Sequence, residues 1–316
     1  MTQKFSEKQH PMAKEQWRFS SPETFGVPLG RLLAEAKKEM TSPEEDFCSQ
    51  LGGNTYDWFD LCATGDWAER EIFLNRCGDV HWEDDDRSIW KYAFVVEEGM
   101  DIRSENCIRP VGAFQANRIF MELRRGAHVK FSLRFEECPT VLSVLKFVLC
   151  EQSSLEVFIF SQGVMASRLE LEVQLKGEMS SAAVEIRHLG DQDHRFDCRT
   201  KQCHTAPHTT SHLKIRTVLD GQSRLVFGGK VVIAESAVGS KASQKNENLM
   251  LSGGALAHSL PELDIRSKEV ECSHGATVVP LDEEVLFYMA SRGIERDWAK
   301  RLLREAFLGN GIFAGY

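Results

Sequence analysis

Apolar and polar residues alternate along the middle of the chain, from about Asn106 to Val279. The clearest stretch, residues 168–175, has the sequence Arg-Leu-Glu-Leu-Glu-Val-Gln-Leu. A period of two predicts β-strands with one buried side and one side facing water. Segments of this kind follow one another closely: Arg118–Leu123, His128–Leu133, Leu155–Phe160, Arg168–Leu175, Ala183–Arg187, Leu213–Val218 and Arg224–Gly228.

These segments are joined by short turns that contain Gly, Asp or Ser, so no crossover helix fits between them. A sandwich, a barrel and a β-solenoid are all compatible with such a series. No strict short repeat is visible, and periodicity alone therefore leaves the solenoid and the sandwich open.

Both flanks of the strand-rich region have a different pattern. Residues 1–105 alternate apolar pieces with acidic or Gly/Pro breaks, and we predict a helical and irregular N-terminal cap whose best helix is Gly30–Met40. Residues 280–316 return to a helical period, which predicts a C-terminal helical hairpin after a β-rich core at 106–279.

The predicted hairpin has clear start and stop signals. Asp282 is a candidate N-cap, and Gly293 is a candidate stop for the first helix. The first helix presents a stripe of Val285, Leu286 and Met289. A second helix, at about 295–308, is expected to bury Trp298, Leu302 and Ala306.

Composition identifies an ordinary globular protein. The chain has 316 residues, 42% of them hydrophobic, and a net charge of −9 from 38 Lys+Arg and 47 Asp+Glu. The acidic balance argues against general nucleic-acid binding and against binding to anionic membranes. The longest apolar stretch, Val141–Cys150, is short and broken by Lys146, and the start of the chain is polar, so we expect a cytoplasmic protein. Its nine cysteines are expected to be mostly reduced thiols.

Common enzyme signatures are missing from the sequence. Gly228-Gly229-Lys230 is followed by Val231 and lacks the leading glycine of a P-loop, so the chain is not expected to hydrolyse a nucleotide itself. No G-x-G-x-x-G, G-x-S-x-G or H-E-x-x-H pattern occurs.

The densest group of metal-binding residue types is Cys198, Cys203, His204, His208 and His212. Zinc or iron would accept these ligands. The gaps fit no closed tetrahedral site, and the histidines of an extended segment reach one ion only if Pro207 provides a turn. We therefore predict that this group is not a structural metal site and that its histidines form local hydrogen bonds within a polar strand-turn-strand.

A second group, Cys272 and His274, is separated by one residue. In an extended segment both side chains point to the same face, with Cα atoms ~6.5 Å apart. A thiol and an imidazole placed in this way can share a ligand or face one partner surface. An adjacent imidazolium would also favour the thiolate, which is the form that binds metal or accepts sulfur.

The Cys-x-His step belongs to a longer pattern in the C-terminal part of the chain. Its segments are Asn246–Ser252, Pro261–Ile265, Val270–Thr277 and Leu281–Ile294, with His208–Leu213 and Thr217–Leu219 upstream and Glu15–Ser20 near the start. Together they resemble the SufB/SufD family of iron–sulfur cluster assembly proteins. The Cys-Ser-His-Gly-Ala-Thr sequence at 272–277 is similar to the SufD branch, because the SufB branch has an acidic, thiol-free version of this step.

This resemblance implies a mainly β fold, a right-handed parallel β-helix with helical N- and C-terminal regions. It also implies a scaffold subunit without its own catalysis, paired with a SufB-like paralogue through the β-helices, with ATP hydrolysis in a docked SufC-like ATPase. The residues implied for SufC docking are Leu286, Phe287, Arg292, Trp298 and Leu302. We also expect the lone chain to be able to form a homodimer.

Family resemblance further implies that Cys272 and His274 lie at the junction with SufB. There they would contact iron or a nascent iron–sulfur cluster transiently, as metal ligands, whereas no cofactor is expected in the lone chain. Two alternatives stay open on the sequence. One is a stand-alone metal- or thiol-dependent enzyme on a β-solenoid, and the other is a purely structural partner that has lost cluster chemistry.

Overall fold

The computed structural model describes residues 69–74, 76–79, 89–108, 115–137 and 140–309. Strands fill most of these ranges, and two helices follow them. No helix in the described ranges is long and apolar enough to cross a membrane. The elements are β1 (Glu69–Leu74), β2 (Gly78–Asp79), β3 (Ile89–Val96), β4 (Asp101–Ile108), β5 (Gln115–Leu123), β6 (His128–Glu136), β7 (Thr140–Leu149), β8 (Ser154–Gln162), β9 (Ala166–Leu175), β10 (Ser181–Gly190), β11 (Arg195–His204), β12 (Thr210–Leu219), β13 (Arg224–Ile233), β14 (Lys241–Met250), β15 (Leu256–Ile265), β16 (Glu271–Pro280), α1 (Glu283–Ser291) and α2 (Arg296–Leu308).

The strands form two parallel sheets in a simple order. All odd-numbered strands lie in one sheet and all even-numbered strands in the other, each in chain order. A strand therefore pairs with the strand two positions later, in parallel register. This arrangement is a parallel β-solenoid, which confirms the predicted β-helix core and excludes the sandwich; its right-handedness stays a prediction from the resemblance.

One turn of the solenoid, called a rung below, consists of one odd and one even strand with their two connections. Gln115 pairs with Val141, 26 residues later, whereas Arg224 pairs with Leu256, 32 residues later. The length of a rung thus changes along the chain. This drift is the reason that no strict repeat is visible in the sequence.

Side chains that point between the two sheets form the core. In the middle rungs they are large and apolar: the Phe131 and Phe147 rings meet edge to face, with their centroids 5.5 Å apart. Both rings are fully buried, as are Leu133, Leu145 and Ile159. Burial of each such side chain stabilises the fold by ~1.5–3 kcal/mol relative to its exposure.

The solenoid begins earlier than the predicted boundary at residue 106, because β1 to β4 already lie in the two sheets. On β3, Tyr92, Phe94, Val95 and Val96 are all buried, and Ala93 is partly buried. A strand buried on both faces has no alternation, so the period-two pattern misses it. The same reason explains why β7 was missed. The predicted helix Gly30–Met40, with the remainder of the predicted cap up to residue 68, lies outside the described residues.

The two C-terminal helices confirm the predicted helical pair. The Asp282 carboxylate accepts a hydrogen bond from the Glu284 backbone N–H at 2.8 Å, as expected of an N-cap. Gly293 follows α1 with a φ of +81°, a conformation that suits glycine.

Two packing expectations for α2 are wrong, because Trp298 is 50% exposed and Ala306 is exposed as well. The buried residues of α2 are Ala299 and Leu308. The reason is that α2 reaches the solenoid with its C-terminal end, where Leu308 packs in one cluster with Phe160, Leu189 and Val218 on the outer face of the even-numbered sheet.

A buried histidine lies in the core near this contact. His188 on β10 has no exposed surface, and its ring lies 4.4 Å from that of Phe196, centroid to centroid. Burial, with a smaller contribution from His194, lowers the pKa of His188 from 6.5 to about 3. The imidazole is therefore neutral in the folded chain at neutral pH.

This pKa predicts that the fold loses stability in mild acid. Below pH ~6.5 the unfolded chain binds a proton at His188 that the folded chain refuses, so the free energy of unfolding falls by ~1.4 kcal/mol per pH unit from this residue until the pH approaches the folded pKa. Between pH 7 and pH 5 the loss amounts to ~2 kcal/mol. Urea unfolding at several pH values should show a flatter pH dependence for His188→Leu. The control Ile186→Val removes no titrating group and should leave the slope unchanged; an unaltered slope in His188→Leu would contradict the prediction.

Candidate functional site

Cys272 and His274 lie on β16, the terminal strand of the even-numbered sheet. They pair in register with Ala242 and Gln244 of β14, which both point into the core. The two residues therefore share the inward face, as the spacing predicted. Because β16 has no further strand beside it in the described sheet, this inward face is open, and His274 is exposed while Cys272 is half-buried.

The thiol of Cys272 rests against an apolar cluster. Val231, Ile233, Ala237 and Ala242 form this cluster beneath it. Burial raises the pKa of Cys272 above its usual value and is the single cause of the shift. A metal ion or sulfur donor would therefore have to displace the thiol proton, and the expected help from a neighbouring imidazolium stays a prediction.

The surface around the pair is the uncovered end of the solenoid. It carries exposed apolar side chains on both terminal strands: Leu263 and Ile265 on β15, and Val278 and Val279 on β16, each between 38% and 49% exposed. The two edges differ in one respect. Pro261 interrupts β15, where a proline is tolerated because the strand lies at an edge, whereas β16 has none before Pro280 at its end. The β16 edge is thus the better template for another strand.

Beyond the apolar cluster under Cys272, the β14 side of the layer beneath the end rung is polar. The inward residues of β14 include Gln244, Asn246 and Asn248, all at most 3% exposed. Asn248 is well bonded: it accepts from the Thr217 hydroxyl at 2.6 Å and donates to the Thr277 carbonyl at 3.1 Å. Sequence reasoning missed this layer, although the alternation in Gln244-Lys-Asn-Glu-Asn248 was available as its signal.

Gln244 and Asn246 are bonded on one side only. Gln244 donates through Nε2 to the Gly229 carbonyl of the opposite sheet at 3.5 Å, and Asn246 donates through Nδ2 to the Ser259 hydroxyl at 2.7 Å. The carbonyl oxygens of both amides are buried without a hydrogen-bond partner among the described residues. Buried acceptors without a partner are unusual in folded proteins and mark places where a donor is expected.

The residues of the 198–212 group point in different directions. Cys198 and His204 lie inside the solenoid, fully buried, whereas His212 is exposed on the outer face. Burial raises the pKa of Cys198 and lowers the pKa of His204 to about 4. Cys203 faces outward, with its Sγ 3.9 Å from a Glu172 carboxylate oxygen.

Two of the three histidines of this group, His204 and His212, form local hydrogen bonds through their rings, as the sequence analysis expected. His204 lies 2.7 Å from the Thr209 hydroxyl through Nδ1 and 2.7 Å from the Ser211 hydroxyl through Nε2. His212 lies 2.7 Å from the Ser243 hydroxyl. The searched residues of the described ranges contain no group of three or more His, Cys, Asp or Glu side chains placed to hold one metal ion.

The helical hairpin presents exposed aromatic side chains. Phe287 is 78% exposed, Tyr288 60% and Trp298 50%. Arg292 lies over the Tyr288 ring, 5.4 Å from its centroid, and Arg301 lies similarly over Trp298. A hairpin with three exposed rings is typical of a protein-binding surface, because aromatic and Arg side chains are enriched there.

Two of the predicted docking residues have little or only part of their side-chain surface available to a partner. Leu286 is 2% exposed and packs within the structure, and Leu302 is partly buried. Phe287, Arg292 and Trp298 remain exposed, and Tyr288 joins them. The sequence analysis missed Tyr288 because α1 has a weak amphipathic pattern, with apolar residues on more than one side.

Known proteins resemble this chain over the solenoid and the hairpin. Residues 90–307 match the family model described as "SUF system FeS cluster assembly, SufBD core domain". The iron–sulfur cluster assembly protein SufD of Escherichia coli is 30% identical over 160 residues, which cover 51% of this chain. The SufBD family protein slr0076 of Synechocystis is 39% identical over 103 residues, 33% of this chain.

The alignments cover less than half of these relatives' own length: 38% of the Escherichia coli protein and 23% of the Synechocystis protein. A SufBD family protein of Mycobacterium tuberculosis, Rv1461, is 33% identical over 133 residues, which cover 42% of this chain and 15% of the relative.

The geometry of the 198–212 group predicts that chelation leaves the melting temperature unchanged. Its side chains are divided between the inside and the outside of one wall, and those of Cys203, His204 and His212 already have hydrogen-bond partners, so they are not placed to hold one ion. Calorimetry with and without a strong chelator would test this. Stoichiometric zinc in the purified chain, lost on Cys203→Ser together with several kcal/mol of stability, would overturn the prediction.

Proposed function

The chain belongs to the SufB/SufD family of iron–sulfur cluster assembly proteins, and we propose that it works there as a SufD-like scaffold subunit without catalytic turnover of its own. Cys272 and His274 contact iron or the nascent cluster as cargo. A SufB-like paralogue covers the end of the solenoid, and a SufC-like ATPase docks on the helical hairpin and hydrolyses ATP. The complex is cytoplasmic.

One observation carries this proposal: a thiol and an imidazole share the inward face of the last strand, at an uncovered solenoid end. An end strand exposes unpaired backbone groups that a second chain can pair with. The exposed Val278 and Val279 beside them supply apolar area for the same contact. A partner on this end would enclose Cys272 and His274 and could complete a set of metal ligands.

The stand-alone enzyme receives less support from the geometry. Small-molecule sites are usually concave and bury most of their ligand. Here the two candidate ligands lie on the inward face of an open end, where His274 is exposed and Cys272 half-buried, so the site is not concave. Purification of the chain with and without SufB-like and SufC-like partners separates the two functions, because turnover and bound iron in the lone chain would favour the enzyme.

The cluster-contact role predicts that His274→Ala leaves the complex assembled but lowers cluster formation about tenfold, since loss of a ligand or its support commonly costs 10–100-fold. Mass analysis of the co-expressed complex measures assembly, and bound iron and sulfide measure the clusters. Ser273→Ala is the matched control, because Ser273 lies between the two residues and alternates to the outer face.

Cys272→Ser separates packing from chemistry at the same site. A loss of stability would indicate packing against the apolar cluster, whereas a loss of clusters alone would indicate ligation. Normal cluster yield from an assembled complex carrying both Cys272→Ser and His274→Ala would reject the chemical role and leave a structural half of the scaffold.

The docking role predicts that charge on the exposed aromatic surface of the hairpin prevents SufC binding. Phe287→Glu with Trp298→Glu should weaken binding by about a hundredfold or more, since central aromatic residues dominate interface energies. Truncation of α2 would be a poorer test than the substitutions, because the loss of Leu308 exposes the apolar residues that it packs against. Binding is measured with purified SufC-like protein, and circular dichroism confirms folding.

The control for this surface is Met179→Glu, which places the same charge on a side chain that is 58% exposed in a distant turn. It should bind the SufC-like protein as the unaltered chain does. Unchanged binding by the folded double variant would place the ATPase elsewhere.

A further inference from the structure

Gln244 lies directly below His274 in the stack of strands. The two residues are register partners on neighbouring parallel strands, β14 and β16, and both occupy the inward face. Strands in a sheet are ~4.8 Å apart, so side chains at partnered positions on one face lie side by side. His274 is exposed at the end, and Gln244 is 3% exposed one rung deeper.

The orientation of the Gln244 amide is fixed by its surroundings. Its Nε2 donates to the Gly229 carbonyl oxygen at 3.5 Å. If the amide were turned over, its oxygen would face that carbonyl oxygen, and neither atom carries a hydrogen to donate. The Oε1 atom is therefore the free end of the amide, and it is buried without a partner among the described residues. Asn246 is less defined, because the Ser259 hydroxyl could donate or accept.

Gly229 makes this placement of Gln244 feasible. A Cβ at this position would overlap the Gln244 amide nitrogen and would come within 2.5 Å of the Phe227 ring. The absence of a side chain lets the amide lie against the backbone of the opposite sheet. The glycine that the sequence analysis rejected as part of a nucleotide loop thus has a role in the interior.

A histidine that binds metal through one ring nitrogen nearly always donates the other N–H to an acceptor, which fixes the ring orientation and the tautomer. The His274 imidazole ring is exposed and has no side-chain hydrogen bond to another described residue. Gln244 is its register neighbour and has a buried oxygen that lacks a donor. The His274 ring can supply the donor that the Gln244 oxygen lacks, and that oxygen can supply the acceptor that the ring lacks.

We propose that Gln244 is the positioning residue for His274: its Oε1 accepts one imidazole N–H and thereby presents the other ring nitrogen to the metal ion. This inference rests on the proposed function, because it assigns a supporting residue to the same cluster-contact site. The ion is the cargo of the site, and Gln244 does not touch it.

The test uses Zn²⁺ as a diamagnetic probe on the complex of the full chain with its SufB-like partner, because that partner is expected to complete the set of metal ligands. Gln244→Met keeps the length of the side chain and removes the acceptor, and it should weaken Zn²⁺ binding at His274 by about tenfold or more. Gln202→Met is the matched control. Gln202 also donates once, to the Ser211 hydroxyl at 2.7 Å, and also has a buried unpartnered Oε1, but it lies on β11 of the other sheet.

A spectroscopic measurement covers the case in which Gln244→Met fails to fold. In the Zn²⁺-loaded complex that contains the unaltered chain, the ¹⁵N-resolved signals of His274 should show one protonated ring nitrogen whose N–H exchanges slowly with water. Fast exchange of that proton would mean that water is the acceptor, and this result would overturn the inference without any variant.

The outcomes distinguish the inference from the proposed function. If His274→Ala loses Zn²⁺ while Gln244→Met and Gln202→Met both bind normally, Gln244 has no positioning role and the cluster-contact site stands. If Gln244→Met alone binds weakly and Gln202→Met binds normally, the inference is supported. If complexes that contain the unaltered chain and complexes that contain His274→Ala bind Zn²⁺ equally, the cluster-contact site itself fails, and the role of Gln244 fails with it.

Discussion

Every strand of a parallel solenoid depends on the next rung for half of its backbone hydrogen bonds. Each strand pairs with the strands two positions before and after it, and no hairpin partner exists within a rung. The constraint has a local consequence at β16, where the ladder stops and the inward side chains lose their cover. His274 is exposed and Cys272 only half-buried because β16 is the terminal strand of its sheet.

The interior changes its chemistry towards that end. Middle rungs are filled by side chains such as Phe131 and Leu145, whereas β14 places three amides inward. An apolar layer beneath an open end would present a hydrophobic surface to water, while amides there tolerate water and also offer hydrogen bonds to whatever covers the end. The polar layer therefore suits a surface that is covered in one state and wet in another.

The sequence predicted the strands that have one wet face, because residues such as Glu170 and Glu172 mark the alternation clearly. It missed strands of two other kinds. β3 and β7 are buried on both faces and show no alternation, and β14 carries Gln244 and Asn246 where an apolar residue is expected. Drift in the rung length from 26 to 32 residues concealed the repeat. The shared face of Cys272 and His274 needed only the strand period, whereas the neighbourhood of His274 depends on residues 30 positions earlier, which only the register brings beside it.

The two candidate partner surfaces are joined by a short connection in the chain. Only Leu281 and Asp282 separate the end strand from α1. Leu281 extends the ladder by donating its N–H to the Met250 carbonyl at 2.8 Å, and its side chain joins the cluster that holds Leu308. Asp282 then caps the helix. Both joint residues thus have hydrogen-bond partners, and the surface that carries the exposed aromatic rings follows directly on the strand that carries Cys272 and His274.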